Sequence, residues 1–215
     1  MKQFNVDYIK LCSETLPIQK GNILEVGSRR ADGQERYKDI RDFFPEAEYI
    51  GLDMQEGNKV DQVGDVHNLL FADNYFDTII CMETFEHVAR PWIAIDELYR
   101  VLKPEGFLIM TVPFDCPIHE HPHDYYRYTP DGLRVLLRQF ILPQIDSFGL
   151  EDNPHTITAL ATKEPRFIRM RYRGEVIDKL QKKYRKENPY SIETFIKSCV
   201  PPVLRNLIGW PKEGL

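Results

Sequence analysis

Asn22-Ile23-Leu24-Glu25-Val26-Gly27-Ser28-Arg29-Arg30-Ala31-Asp32-Gly33 is the stretch on which the reading of this chain turns. Ile23, Leu24 and Val26 make a short apolar run suited to a strand buried on both faces, and Glu25 interrupts it just before Gly27. Gly27 permits a bend that a side chain obstructs. Further on, Asp53 closes a second strand-like run, Glu48 to Leu52. Carboxylates at the ends of two successive strands, one beside a glycine turn, suit a nucleoside cofactor in an open α/β sheet, whose ligands lie at the carboxyl ends of the strands.

A dinucleotide does not fit. Its fingerprint, Gly-x-Gly-x-x-Gly, lets backbone amides close on a pyrophosphate at a helix start; here Gly27 is followed by Arg29 and Arg30. A carboxylate at Glu25 repels pyrophosphate but attracts a cationic amine, directly or through water. S-adenosylmethionine carries such an amine together with a sulfonium, a ribose and an adenine. Glu25-Val26-Gly27, Asp53, Gly64-Asp65-Val66 and Phe76-Asp77-Thr78-Ile79-Ile80 fall in the order seen in class I S-adenosylmethionine-dependent methyltransferases, and the chain resembles that family from about residue 20 to 162. Arg100-Val101-Leu102-Lys103-Pro104-Glu105-Gly106 is similar to the family's Arg-Val-Leu-Lys-Pro-Gly-Gly, with Glu105 in place of a glycine.

The resemblance implies an α/β, Rossmann-like fold: a seven-stranded mixed sheet of order 3-2-1-4-5-7-6 with the last strand antiparallel, helices on both faces, and a C-terminal helical extension. It implies S-adenosylmethionine as cofactor, with Glu25, Gly27, Ser28, Asp53, Met54, Asp65, Val66, Cys81 and Met82 around it. Asp53 is placed to accept hydrogen bonds from the ribose hydroxyls. Asp65 and Val66 correspond to the segment beside the adenine. Glu83 to Val88 leaves the fourth strand next to the methyl group and the acceptor, which makes Glu83 and His87 substrate-site candidates.

The remaining elements follow from periodicity. Phe4, Tyr8, Leu11, Cys12 and Leu16 predict an amphipathic first helix ended by Pro17; by resemblance such a helix covers the cofactor pocket. A helix is expected over Gln34 to Phe44. Pro91 opens another, with Trp92, Ile95, Leu98, Tyr99 and Leu102 as its apolar stripe. Phe107 to Val112 reads as the fifth strand, Asp131 to Phe140 as a helix capped by Thr129, and Gln144 to Leu150 and His155 to Thr162 as a terminal strand pair.

Pro113 to Thr129 bears most on the acceptor: three histidines, three tyrosines and an arginine follow the fifth strand in a polar loop. His119, His121 and His123 are candidate general bases, since imidazole titrates near neutrality and takes a hydroxyl proton as a methyl group moves. His-x-His-x-His with Asp124 also supplies metal-ligand types, but the prolines spoil the alternation that would point them one way, and no metal is expected. The third reading is a rigid loop with merely polar histidines. His123-Asp124-Tyr125-Tyr126-Arg127-Tyr128-Thr129-Pro130 resembles a stretch in bacterial members of the family found with cell-surface glycan biosynthesis. That makes Tyr125, Tyr126 and Arg127 substrate-binding candidates, Arg127 pairing either with an anionic acceptor or with an acidic residue of the body.

The chain divides into a methyltransferase domain, 1–162, and a basic, amphipathic extension, 163–215. Residues 1–162 carry 15 Lys/Arg against 27 Asp/Glu, whereas residues 163–188 carry 10 against 4. An acidic body without an added nucleic-acid module argues against a nucleic-acid partner. The extension is expected to serve packing, a homodimer contact or a peripheral membrane contact. Cys12, Cys81, Cys116 and Cys199 form no Cys-x-x-Cys pair, and Met1 to Lys20 has no signal pattern, so reduced thiols and a cytoplasmic location are expected.

The expected activity is transfer of the S-adenosylmethionine methyl group to a small molecule, as an O-methyltransferase acting on a hydroxyl of a sugar or cell-surface glycan precursor. The family's Glu/Asp-x-Gly-x-Gly-x-Gly becomes Glu25-x-Gly27-x-Arg29-x-Ala31 here. An arginine filling the pocket would leave the alternative, a catalytically silent scaffold of the same fold.

Overall fold

The structure is a computed structural model of the 215-residue chain. It describes residues 3–30, 38–119, 123–141, 143–150 and 152–164, with 179, 180 and 184.

Helix α1 (Gln3–Thr15) opens the chain and buries Phe4, Tyr8, Ile9 and Cys12. Seven strands follow: β1 (Lys20–Val26), β2 (Glu46–Asp53), β3 (Gln62–Val63), β4 (Phe76–Met82), β5 (Leu102–Pro113), β6 (Gln144–Gly149) and β7 (Pro154–Thr162). They form one sheet of order β3-β2-β1-β4-β5-β7-β6. The first five are joined in parallel, and β7 runs antiparallel to both β5 and β6. This is the order and polarity that the resemblance implied.

Successive strand residues point to opposite faces, and two apolar clusters result. Leu24, Ile79, Cys81, Leu108 and Met110 pack with helices α2 (Pro91–Val101) and α3 (Pro130–Leu136) on one face. Ile23, Ile80, Met82, Phe107 and Ile109 pack with α1 and with Ile40 and Phe44 on the other. Leu180 and Tyr184 of the extension join this second cluster. The Tyr184 ring meets Phe4 at 5.0 Å, and its hydroxyl is bonded to Asp7. Other expectations for 163–215, including the membrane and homodimer contacts, lie outside the described residues. Among those described, no helix is long and apolar enough to cross a membrane.

Several boundaries differ from expectation. In place of a helix over Gln34 to Phe44, the described part has one 3₁₀ turn at Ile40–Phe43, started by the Asp39 carboxylate accepting from the Arg41 N–H; 34–37 lie outside the described residues. Trp92, expected in the core stripe of α2, is 52% exposed, while Ile95 and Leu98 are buried. Leu102 belongs to β5, which starts before the Lys103-to-Gly106 turn and shifts register there against β4. Thr129 caps α3 by accepting from the Gly132 N–H at 3.0 Å, with Pro130 at the first helical position.

Candidate active site

The carboxyl ends of β1, β2, β4 and β5 surround a cavity of about 430 Å³, within the range of a cofactor or small-ligand site. β1 and β2 build one half. The Gly27 and Ser28 N–H groups donate to the Leu52 carbonyl at 2.9 and 3.2 Å, which pins the turn after β1 to the end of β2. Gly27 has φ +77°, and a Cβ there would lie 2.3 Å from Thr84 Oγ1. Thr84 Oγ1 in turn donates to the Val26 carbonyl at 3.1 Å. The glycine is thus required twice, by backbone conformation and by contact with the loop after β4. Asp53, on the cavity wall, accepts from the N–H groups of Arg29 at 3.2 Å and Gln55 at 3.0 Å. The Ser28 hydroxyl is buried without a hydrogen-bond partner among the described residues.

Glu25 lies behind this wall. It is 3% exposed and accepts from the Tyr49 hydroxyl at 3.0 Å. Burial pushes its carboxyl up to about 7, against the opposing effects of Arg30, the Tyr49 hydrogen bond and Arg41. Arg29 folds against Gly57, where a Cβ would meet Arg29 Cγ at 2.9 Å, and Arg30 sits 3.6 Å from Asp39. Both arginines line the cavity, and the cavity stays open between them and β4.

The other half comes from β4, β5 and the loops that leave them. Met82 ends β4, and Glu83 follows at φ +47°, uncommon for a residue with a side chain, with its N–H donating to Thr111 of β5 at 2.9 Å. Glu86 is 1% exposed. His87 Nδ1 is 2.6 Å from the His123 carbonyl. The His87 and His119 rings meet edge to face at 4.9 Å.

The Pro113-to-Thr129 loop is fastened by its own residues. Arg127 forms a two-pronged pair with Asp124, Nη1 to Oδ1 at 2.5 Å and Nη2 to Oδ2 at 2.7 Å, and also donates to the Cys116 and Pro117 carbonyls. Those Arg127 hydrogen bonds hold the Asp124 carboxyl well below the usual carboxylate range. Asp124 also accepts from the His119 N–H at 2.9 Å, and the Glu86 carbonyl accepts from the Tyr125 N–H at 2.7 Å. Loop and β4 segment are thereby locked together.

Of the residues singled out in the sequence, Gly27, Ser28, Asp53, Met54, Val66, Met82, Glu83, His87 and His119 line the cavity. Others stand elsewhere. Cys81 is buried in the α2 face of the core, because its position on β4 alternates with Met82. Asp65 turns out toward His67, accepting from its N–H at 2.9 Å. Arg127 is committed to Asp124, the Tyr126 hydroxyl donates to the Ala89 carbonyl at 3.1 Å, and Tyr125 and His123 pack on one another at 5.6 Å, so none of the four lines the cavity. His121 lies outside the described residues. No described residue of α1 lines the cavity, so the helix implied to cover it packs on the sheet instead. Thr84, Glu86, Pro113 and Cys116 line the cavity without having been singled out for it. No periodicity marks them, since they sit in loops whose approach is set by the sheet order.

A family model described as a methyltransferase domain matches residues 32–110. Two curated relatives are ubiquinone biosynthesis O-methyltransferases. The one from Ruegeria pomeroyi is 30% identical over 139 residues, 50% of this chain and 56% of that protein. The one from Dinoroseobacter shibae is 29% identical over 103 residues, 40% of this chain and 42% of that protein. The chain thus spans about half the length of the curated relatives it matches. Among solved structures, the Burkholderia thailandensis 1,6-didemethyltoxoflavin-N1-methyltransferase with bound 1,6-didemethyltoxoflavin and S-adenosylhomocysteine superposes with a TM-score of 0.56 at 17% identity, covering 74% of this chain and 79% of that one. With the sheet order, these matches make the chain similar to the class I S-adenosylmethionine-dependent methyltransferases. The methyl donor of that class is S-adenosylmethionine.

Proposed function

We propose that the protein transfers the methyl group of S-adenosylmethionine to a hydroxyl of a small-molecule acceptor, with sugars and cell-surface glycan precursors the first acceptors to test. The observation that carries this reading is the two-sided cavity: Gly27, Ser28 and Asp53 at the ends of β1 and β2, and Met82, Glu83, Glu86, His87 and His119 at the ends of β4 and β5. In this reading Asp53 receives the ribose hydroxyls, Met54 and Val66 flank the adenine, and the turn at Gly27 admits the methionine end. Glu25 acts from behind the wall through the charge balance it keeps with Arg30. The methyl group then faces the corner made by Glu83, His87 and His119.

The chemistry is an in-line displacement. An acceptor oxygen lone pair forms the new C–O bond, the methyl–sulfur bond breaks with its electron pair kept by sulfur, and the hydroxyl proton leaves at the His119 corner. Sulfonium is already a strong leaving group, so the protein contributes mainly alignment and removal of the proton. The distant O-methyltransferase relatives support an oxygen acceptor. The open cavity beside Arg29 supports catalysis over a silent scaffold.

Incubation with methyl-labelled S-adenosylmethionine and a panel of sugars, sugar nucleotides and phenols tests the reading. Labelled product with at least one hydroxyl acceptor is expected. Transfer only to amines, or none despite cofactor binding, would overturn the oxygen assignment.

A further inference from the structure

Glu86, His87 and His119 line the same end of the cavity, and each offers a ligand atom, these atoms all lying within 4.8 Å of one another. The three belong to two loops, so neither loop's sequence shows the grouping. The set is not that of the His-x-His-x-His run.

Both imidazoles are held from behind through Nδ1. His87 Nδ1 lies 2.6 Å from the His123 carbonyl, an acceptor only, so Nδ1 carries the proton and Nε2 the lone pair. His119 Nδ1 lies 3.1 Å from the Pro117 carbonyl and 3.2 Å from the Asp124 carboxylate, both acceptors, with Cys116 Sγ at 3.9 Å. His87 Nε2 in turn is 3.7 Å from Glu86 Oε1. A carbonyl or carboxylate on the far nitrogen is the usual arrangement behind a metal-bound histidine, fixing tautomer and ring orientation. Asp124 is itself fixed by Arg127, so the support continues one residue deeper.

We propose that Glu86, His87 and His119 form a site for a divalent transition-metal cation, whose open coordination position takes the acceptor oxygen. Two imidazoles and a carboxylate suit zinc, cobalt(II) or manganese(II), with bonds of about 2.0–2.2 Å for zinc. The inference rests on the methyl-transfer reading for its role and refines that of His119, which becomes a ligand and not the proton acceptor. The acceptor hydroxyl binds through oxygen and gives its proton to solvent water. The resulting alkoxide forms the bond to the methyl carbon, and the methyl–sulfur electron pair stays on sulfur, leaving S-adenosylhomocysteine.

The test is titration of the full chain with cobalt(II), read by its visible absorption, beside calorimetric titration with S-adenosylmethionine. Wild type is expected to take up one equivalent of cobalt(II) in competition with zinc. His87→Ala and His119→Ala each should bind cobalt(II) more than about 10-fold more weakly. His123→Ala retains the backbone carbonyl behind His87 and should bind cobalt(II) as wild type does. Glu86→Gln is a further variant, and His119→Ala, at a one-third exposed side chain, keeps the test open if that buried change impairs folding. Equal cobalt(II) binding by wild type and the His87 and His119 variants, with cofactor binding intact, would overturn the cation site and leave the methyl-transfer reading standing. Cobalt(II) binding at the site without binding of S-adenosylmethionine would overturn methyl transfer instead.

Discussion

Replacing Gly27 by alanine tests the turn on which the site depends. At φ +77° an L-residue is strained, at a cost of about 1–2 kcal/mol. The added Cβ would stand 2.3 Å from Thr84 Oγ1, 2.8 Å from its Cγ2 and 3.1 Å from its Cβ. Thr84 has little room to withdraw, since its hydroxyl donates to the Val26 and Met82 carbonyls. Overpacking of this kind costs about 1–3 kcal/mol. Gly27→Ala should therefore lose about 2–5 kcal/mol of stability, read by urea unfolding with an unchanged m-value. Thr84→Ala in the same background removes the two closest atoms, and the double variant should recover about 1–3 kcal/mol relative to additivity, leaving the backbone term. A Gly27→Ala protein within about 0.5 kcal/mol of wild type, or a pair that adds without coupling, would refute the reasoning.

Two more predictions concern charge. Glu25 ionises at about 7 in the fold against an ordinary 4.5, so its favourable contribution is complete below about pH 4.5 and falls as pH rises to about 7. At about 1.4 kcal/mol per pH unit the loss is roughly 3 kcal/mol; Glu25→Gln should flatten the fall in Tm between pH 5 and pH 8, and an unaltered pH profile would count against a buried carboxyl. Arg127→Ala leaves the Asp124 carboxylate, whose side chain is 3% exposed, with His119 but without its guanidinium partner, and should cost about 3 kcal/mol by chemical denaturation. Combining Arg127→Met with Asp124→Asn should restore most of that, whereas an equal loss in the double variant would point to packing as the cause.

How far the sequence disclosed this protein depended on whether a feature was local. The apolar runs at Ile23 to Val26, Ile79 to Met82 and Phe107 to Val112 mark buried strands by themselves, and Pro91 and Thr129-Pro130 mark helix starts, because those signals are set by neighbouring residues. The 3-2-1-4-5-7-6 order is not local and came through resemblance. Asp53 and Gly27 reach the cavity because they end strands whose carboxyl ends converge. Cys81 and Asp65 differ from expectation by one residue of alternation and one turn, respectively, and the sequence does not fix which side chain at a strand end looks inward. Arg127 was legible as a residue in need of an anion, but only the fold shows that Asp124, three positions earlier, supplies it. Glu86 lies in the Glu83-to-Val88 segment expected beside the acceptor, but its meeting with His119 left no sequence signal, since it depends on how two loops dock.

The most direct measurement of the central claim is calorimetric titration of the full chain with S-adenosylmethionine and S-adenosylhomocysteine, wild type against Asp53→Ala. Hydrogen bonds to a charged group contribute about 1.5–3 kcal/mol, so micromolar binding by wild type should weaken roughly 10- to 100-fold in the variant. Absence of binding to either ligand by wild type would contradict a cofactor site at these strand ends, and equal affinity in the two proteins would remove Asp53 from it.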